Sequence, residues 1–91
     1  MLRLRVKEVA QEKNISMHRL SMVAEISYYI IRGICANPYR TISTYTLNRV
    51  AEALGVPVTE IIEDVPREQA EAELQQIKRK ASGGKPSTRQ A

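Results

Sequence analysis

Few residues in this sequence of 91 could carry covalent or metal chemistry. Cys35 is the single cysteine and His18 the single histidine, so a nucleophile and a general base are each present once. Neither has a partner at a recognisable spacing, and together they cannot supply the four ligands of a usual zinc site. Residues 83–87 contain glycines and a lysine but lack the pattern of a phosphate-binding loop. The sequence therefore predicts no enzyme, no metal site and no cofactor.

The chemistry that remains is the binding of anions by basic and hydroxyl side chains. Residues 1–49 hold eight basic and three acidic residues, and residues 78–91 hold five basic residues and no acidic one. Residues 50–77 hold one basic and seven acidic residues, so the net charge of +4 hides a segregated distribution. Such segregation predicts a face that binds a polyanion such as nucleic acid. Ordinary solvated surface is the alternative interpretation.

Hydropathy and cysteine content narrow the class of protein. The longest unbroken apolar run, Tyr28–Ile31, spans four residues, far fewer than the roughly 20 that a membrane helix needs. No apolar segment follows the basic residues near the N-terminus, so we expect no signal peptide. A single cysteine cannot form an internal disulfide bond. We therefore expect a reduced, cytoplasmic protein with no membrane association.

A repeated pattern marks the starts of helices in the first half of the chain. Ser16, Ser27 and Ser43 each follow an isoleucine and precede a second apolar residue by four positions. A serine in this position caps a helix N-terminus, and the two apolar residues pack together across the cap. Asn14 and Gly55 suit the left-handed conformation that ends a helix. The pattern predicts five helices, near residues 5–13, 16–24, 27–36, 43–54 and 58–64.

Both ends of the chain carry other patterns. Residues 2–6 alternate between apolar and basic side chains, which predicts a short strand; pairing across a dimer is one interpretation of it. The apolar residues of 67–81 recur at helical spacing, which predicts an amphipathic helix. Residues 82–91 have no apolar periodicity and are predicted to be disordered. The chain is thus divided into a domain at 1–65, a helical extension at 66–81 and a tail at 82–91.

The predicted second and third helices are joined by a very short connection, which is the spacing of a helix-turn-helix. Further segments follow in order and at matching distances: Ile15–Ser21, Ile26–Ile31, Asn37-Pro38, Thr46–Val56 and Glu60–Ile62. This series resembles the Xre/Cro phage-repressor-type helix-turn-helix family over about residues 5–63. The resemblance implies an all-α, five-helix, lambda-repressor-like fold that binds double-stranded DNA.

The resemblance also implies which residues contact DNA. It places Tyr28, Tyr29 and Arg32 on the recognition helix, where we expect contacts to bases. Arg32 is the leading candidate, because a guanidinium can bond O6 and N7 of one guanine. The alternatives are a surface salt bridge or a phosphate contact for Arg32, and a core or interface position for one tyrosine. The resemblance also implies contacts to phosphates. At the helix starts these come from Ser16, His18 and Ser27, and in the loop after the recognition helix they come from Tyr39, Arg40 and Thr41.

Two residues depart from the family's pattern where glycine is usual. Glu25 lies in the turn between the second and third helices, where a left-handed conformation costs a non-glycine residue about 1–2 kcal/mol. We therefore expect the geometry of this turn to differ slightly. Asn37 lies at the end of the third helix, and asparagine can still adopt the left-handed conformation.

The function that the resemblance implies is regulation of transcription. We predict a sequence-specific DNA-binding regulator, a repressor that binds a palindromic operator as a homodimer and blocks a promoter. The alternative is an antitoxin or another protein-interaction module in which residues 66–81 bind a partner protein. Deleting residues 66–91 would then abolish partner binding and leave operator binding intact.

Overall fold

The second, third and fourth helices of the chain begin directly after the three serines that the sequence marks as caps. The computed structural model describes residues 1–84, with side chains as far as Lys80. Over these residues the chain is mostly helical, as predicted, and no described helix is both long and apolar enough to cross a membrane. In chain order the elements are β1 (Leu2–Leu4), α1 (Val6–Glu12), α2 (Met17–Ala24), α3 (Tyr28–Ala36), α4 (Thr44–Leu54), a 3₁₀ turn (Val58–Glu60), β2 (Ile62–Asp64) and α5 (Arg67–Gly84).

The three serines form side-chain caps on α2, α3 and α4. Each Oγ accepts a hydrogen bond from a backbone N–H in the first turn, at 3.1 Å for Ser16, 3.2 Å for Ser27 and 3.1 Å for Ser43. Each such cap stabilises a helix by about 1 kcal/mol. The predicted starts of these helices are confirmed, because they depend on bonds between neighbouring residues.

The turn between α2 and α3 has a left-handed residue at Glu25, with φ of 59°. The Ile26 N–H donates to the Ser21 carbonyl at 3.1 Å, which closes the end of α2. Arg49 of α4 donates from Nε to the Ala24 carbonyl at 3.0 Å and from Nη2 to the Glu25 carboxylate at 2.8 Å. Glu25 thus adopts the geometry for which glycine is usual, and the contacts of Arg49 offset part of its conformational cost.

One hydrophobic core joins the first four helices to the segment after α4. In α4 the predicted apolar face is confirmed, because Val50, Ala51 and Leu54 are buried and Leu47 is half-buried. This face packs against α2 and α1, so it fixes the first helix of the helix-turn-helix relative to the rest of the domain. The largest fully buried side chains are Leu20, Ile31, Ile34, Ile61, Val6 and Val50.

The segment after α4 differs from the prediction. The sequence pattern predicts a helix at 58–64, but Val58–Glu60 form only a 3₁₀ turn and Ile62–Asp64 form β2. Pro57 and Pro66 enclose eight residues, of which five are β-branched. Short length and β-branched side chains favour a strand over a helix. The prediction of a helix at 58–64 is therefore wrong, and α5 is the fifth α-helix of the described chain.

The strand predicted at the N-terminus is confirmed as β1, but its partner is β2 of the same chain. The two strands are antiparallel, with Arg3 opposite Glu63. The Leu4 N–H donates to the Pro38 carbonyl at 2.8 Å, so β1 also contacts the loop after α3. The interpretation of pairing across a dimer is wrong, because β1 pairs within the chain.

The helix predicted after Pro66 is α5, and its apolar face lies against the domain. Ala70 is fully buried, and Leu74 and Ile77 are half-buried. The helix continues to Gly84, beyond the predicted end at residue 81. Residues 85–91, the rest of the segment predicted as a disordered tail, lie outside the described residues.

The asparagines at two helix ends behave differently. Asn14, after α1, has a φ of 56° and is left-handed, as its position predicts. Asn37, after α3, is extended with a φ of −136°, so it does not adopt the left-handed conformation that asparagine allows at this position. The reason is Pro38, since a residue before proline is driven towards extended geometry. The Asn37 Oδ1 instead accepts the Tyr39 N–H at 3.0 Å.

Candidate nucleic-acid interface

α3 turns one face to the core and the other to solvent. Ile31 and Ile34 are buried, as the resemblance implies for this helix. On the other side Tyr29 is 76% exposed and Arg32 is exposed, whereas Tyr28 is half-buried. The three residues expected to contact bases therefore lie on the part of α3 that a ligand can reach. Tyr28 is partly covered by a neighbour from α2.

That neighbour is His18, which brings the first turns of α2 and α3 together. The rings of His18 and Tyr28 are stacked, with centroids 4.8 Å apart and an interplanar angle of 29°. Tyr29 meets Tyr28 edge to face at 6.3 Å. Ser16 and Arg32 line one open groove of about 390 Å³ between α1, α2 and α3. The predicted site residues thus form two groups, His18 stacked on Tyr28 with Tyr29 beside it, and Ser16 with Arg32 along the groove.

Ser27, the N-cap of α3, has a hydroxyl group next to the tyrosines. Its Oγ accepts the Tyr29 N–H, so the hydroxyl proton is not used by the cap and can be donated elsewhere. The Ser16 Oγ likewise accepts a backbone N–H of α2, so its hydroxyl proton is also free of the cap. Both serines are exposed. Each can therefore cap its helix and donate a hydrogen bond to an anion.

The loop after α3 brings Arg40 back onto α3. The guanidinium of Arg40 lies over the Cα of Gly33, in the space that a side chain at position 33 would occupy. Gly33 therefore leaves room for Arg40 beside Arg32. Thr41 follows and is exposed. The loop adds a second guanidinium to the surface formed by α2 and α3.

Tyr39 differs from the other predicted site residues, because its hydroxyl and its backbone N–H are both engaged within the protein. Its hydroxyl donates to Oε1 of Glu73 on α5 at 2.6 Å. Burial, together with this bond, raises the pKa of Tyr39 to about 12. Its backbone N–H is held by Asn37. The structure does not bring the Tyr39 hydroxyl to the exposed surface of α3.

The Glu73 carboxylate also accepts hydrogen bonds from Arg3, and these contacts connect β1, α5 and the loop after α3. Arg3 donates from Nε and Nη2 to the two oxygens of Glu73, at 2.9 and 2.8 Å. Its Nη1 contacts Glu8 at 2.8 Å and Glu63 at 3.2 Å. The hydrogen bonds from Arg3, reinforced by Tyr39, lower the pKa of Glu73 to about 2. We call Arg3, Glu73 and Tyr39 the α5 cluster.

Sequence reasoning missed the α5 cluster, although one feature indicates it. Glu73 lies three residues after Ala70 and four before Ile77, so it is an acidic residue on the apolar face of an amphipathic helix. An acid in that position needs a partner from another element. The identity of the partners could not be read from the sequence, because Arg3 and Tyr39 are 70 and 34 residues away.

The basic residues of the first half divide into two groups. Arg3, Arg5 and Arg49 form salt bridges with acidic residues. The other five form no salt bridge to any side chain that the structure describes: Lys7, Lys13, Arg19, Arg32 and Arg40. The positive charge available to a polyanion is therefore smaller than the sequence count. The available positive charge includes the guanidinium groups of Arg32 and Arg40 at the surface of α3.

Two further residues were not singled out in the sequence. Tyr45, in the first turn of α4, is 65% exposed, and an isolated exposed aromatic residue cannot be distinguished from a core residue by type alone. Arg49 stabilises the turn before α3, and its role depends on a contact 24 residues away.

Cys35 is half-buried, and burial raises its pKa, which makes the thiol less reactive.

The comparison with known families agrees with this geometry. Residues 5–67 match the Cro/C1-type HTH DNA-binding domain, and the match includes α1 to α4 with the whole surface around α3. No curated protein matched the chain. The matched segment is well over half of the sequence. The chain therefore belongs to the Cro/C1-type HTH DNA-binding domain family, and it binds DNA.

Proposed function

We propose that this protein is a sequence-specific regulator of transcription, a repressor that reads its operator with α3. The observation that carries the proposal is the exposed face of α3, on which Arg32 has no salt-bridge partner in the described chain. A guanidinium that is not held by a protein carboxylate is available to a base edge. Non-specific DNA binding would need only charge and would not need this arrangement around one side chain.

In this proposal α3 enters the major groove with its N-terminal half against the bases. Arg32 donates two hydrogen bonds to O6 and N7 of a guanine, a contact worth about 1–3 kcal/mol of discrimination. Tyr29 contacts a thymine methyl group or a phosphate. Tyr28 is oriented by its stacking on His18, so its position is fixed before DNA is bound.

Phosphate contacts hold α3 in register on the duplex. Ser16 and Ser27 donate hydroxyl protons that their caps leave unused, and Arg40 contributes a charge. His18 and Thr41 are both exposed and complete the proposed set. The Tyr39 hydroxyl is omitted from this set, because Glu73 accepts its proton.

Repression needs the protein to occupy a site long enough to exclude polymerase. We propose that two copies bind a palindromic operator, since a two-fold protein matches a two-fold site. The recognition helices would then lie about 34 Å apart, one turn of DNA. The protein would act in the compartment that holds the DNA, the cytoplasm in our expectation from the sequence.

The alternative in which residues 66–81 bind a partner protein has less support. The inward face of α5 already holds Ala70 in the core and Glu73 in the α5 cluster. A partner could use the outward face of α5 alone. Deletion of residues 66–91 would remove both internal contacts, so we expect it to weaken the domain rather than leave DNA binding intact.

The test is in vitro selection from random duplex DNA with the purified protein, followed by binding to the enriched sequence. We expect an enriched palindrome bound by two copies, with half-sites one helical turn apart. Enrichment of a single half-site bound by one copy would contradict the dimeric operator. Salt-sensitive binding to every duplex without enrichment would contradict sequence reading by α3.

A further inference from the structure

The loop after α3 is held in place by residues distant from the DNA surface. Arg40 reaches Gly33 from this loop, and Tyr39, its neighbour, is fixed to α5 through Glu73. The Pro38 carbonyl accepts a hydrogen bond from Leu4 of β1. The loop therefore has one anchor on the N-terminal strand and one on the C-terminal helix.

The anchor on α5 is built from charge-assisted bonds. The Glu73 carboxylate accepts three hydrogen bonds, two from the Arg3 guanidinium and one from the Tyr39 hydroxyl, all between 2.6 and 2.9 Å. Bonds to an ionised group are about twice as strong as bonds between neutral groups. Arg3 is itself held by Glu8 and Glu63, so Glu73 has a fixed partner.

We infer that Glu73 is a positioning residue for DNA binding: by fixing Tyr39 it holds the adjacent Arg40 over α3, where its guanidinium faces the DNA backbone. The inference rests on the proposed function in that Arg40 is taken to contact phosphate. The inference gives α5 a role in DNA affinity. Most of α5 lies beyond the segment that matches the family. The inference also gives the Tyr39 hydroxyl an indirect role in place of the direct phosphate contact expected from the sequence.

The sign of the effect separates positioning from simple electrostatics. Replacing Glu73 by glutamine removes a negative charge, and a more positive protein binds DNA more tightly on charge alone. Loss of positioning acts in the opposite direction, because Arg40 must then be ordered when DNA binds. Glu71 offers a matched control, since it is an exposed glutamate on the same helix.

The experiment measures affinity for one duplex, at fixed low salt, for Glu73→Gln, Tyr39→Phe and Glu71→Gln. We expect Glu73→Gln and Tyr39→Phe to weaken binding by about threefold to tenfold. Glu71→Gln should bind as the wild type does or more tightly. In an Arg40→Ala background, Tyr39→Phe should have no further effect. Circular dichroism at the binding temperature checks that each variant is folded.

Each other result has a definite meaning. If Tyr39→Phe weakens binding while Glu73→Gln behaves as Glu71→Gln does, the Tyr39 hydroxyl contacts phosphate directly and the inference is overturned. Additive losses for Tyr39→Phe and Arg40→Ala would also overturn it, because independent contacts add. If the wild type discriminates no sequence, the proposed function fails, whereas the effect of Glu73 on Arg40 is still read from affinity for any duplex.

A readout without DNA tests the anchor itself. The ring carbon shift of Tyr39 in a pH titration reports whether the phenol is ionised. In the wild type the phenol should remain protonated near pH 11, because its pKa is raised to about 12. In Glu73→Gln it should ionise at lower pH, since the accepting carboxylate is gone. The same titration curve in both proteins would show that Glu73 does not hold Tyr39, which would overturn the inference.

Discussion

At the scale of single residues, the least conspicuous position of the proposed DNA-binding surface is Gly33. A Cβ at this position would meet the guanidinium of Arg40. The obstacle is the end of a flexible side chain, so Arg40 can move away at little cost to the fold. Gly33 therefore matters for where Arg40 lies more than for the conformation of α3.

We predict that Gly33→Ala separates stability from DNA affinity. Alanine is favoured over glycine within a helix by about 1 kcal/mol, so the free energy of unfolding should stay constant or rise. DNA affinity should fall by about threefold to tenfold, because Arg40 loses its position. Chemical denaturation and a fluorescence binding titration measure the two quantities.

Gly55→Ala is the control with the opposite signature. Gly55 ends α4 with a φ of 72° and has open space around it. Alanine in that conformation should cost about 1 kcal/mol of stability. Affinity should be unchanged well below the melting temperature. If Gly33→Ala lost stability and kept full affinity, the role given to Arg40 would be contradicted.

At the scale of elements, α5 depends on an ionised Glu73. Its pKa is about 2 in the folded protein against 4.5 for the free carboxyl, mainly because Arg3 donates to it. A depressed pKa stabilises the fold fully above pH 4.5, and the contribution is lost as the pH falls from 4.5 towards 2. Tyr39 and Arg3 face this carboxylate, and Glu8 and Glu63 share Arg3 with it.

We predict that the difference in unfolding free energy between the wild type and Glu73→Gln narrows with acidification. It should be constant from neutral pH to about pH 5 and should shrink towards zero near pH 2. Urea denaturation at a series of pH values measures it, and subtracting the variant cancels the carboxylates that do not contact Arg3. A difference that stayed the same at pH 2.5 would show that the ionised form of Glu73 contributes nothing to the fold.

Elements differed in how far the sequence could predict them. The starts at Ser16, Ser27 and Ser43 are fixed by bonds over two or three residues, so they were found correctly. β2 was missed because its partner is β1, about 60 residues away, and its apolar residues fit a helix equally well. The direction of the Tyr39 hydroxyl was missed for the same reason, since Glu73 lies on another element.

At the scale of the whole molecule, the structure changes how the charge is understood. The sequence predicts a basic first half, but Arg3, Arg5 and Arg49 are engaged by acidic side chains. Only basic residues that touch phosphates release counterions from DNA. The salt dependence of binding should therefore distinguish the two groups of basic residues.

We predict that Arg40→Ala lowers the slope of log affinity against log salt by about one, for all sequences alike. Arg5→Ala removes the same charge from a residue that contacts Glu12 at 3.9 Å and the Glu60 carbonyl at 2.9 Å. Its slope should match that of the wild type. Titrations at four or more salt concentrations give these slopes. Equal decreases for both variants would mean that overall charge, rather than the surface at α3, determines binding.

The central claim is that Arg32 reads a base, and the direct measurement is a specificity ratio. It is the affinity for the selected duplex divided by the affinity for a scrambled duplex, at one salt concentration. We predict that Arg32→Ala lowers the ratio by about fivefold to 150-fold, the equivalent of about 1–3 kcal/mol. Arg40→Ala should leave the ratio unchanged while weakening both affinities. If Arg32→Ala weakened binding to the selected and scrambled duplexes equally, Arg32 would be a phosphate contact and the claim would be contradicted.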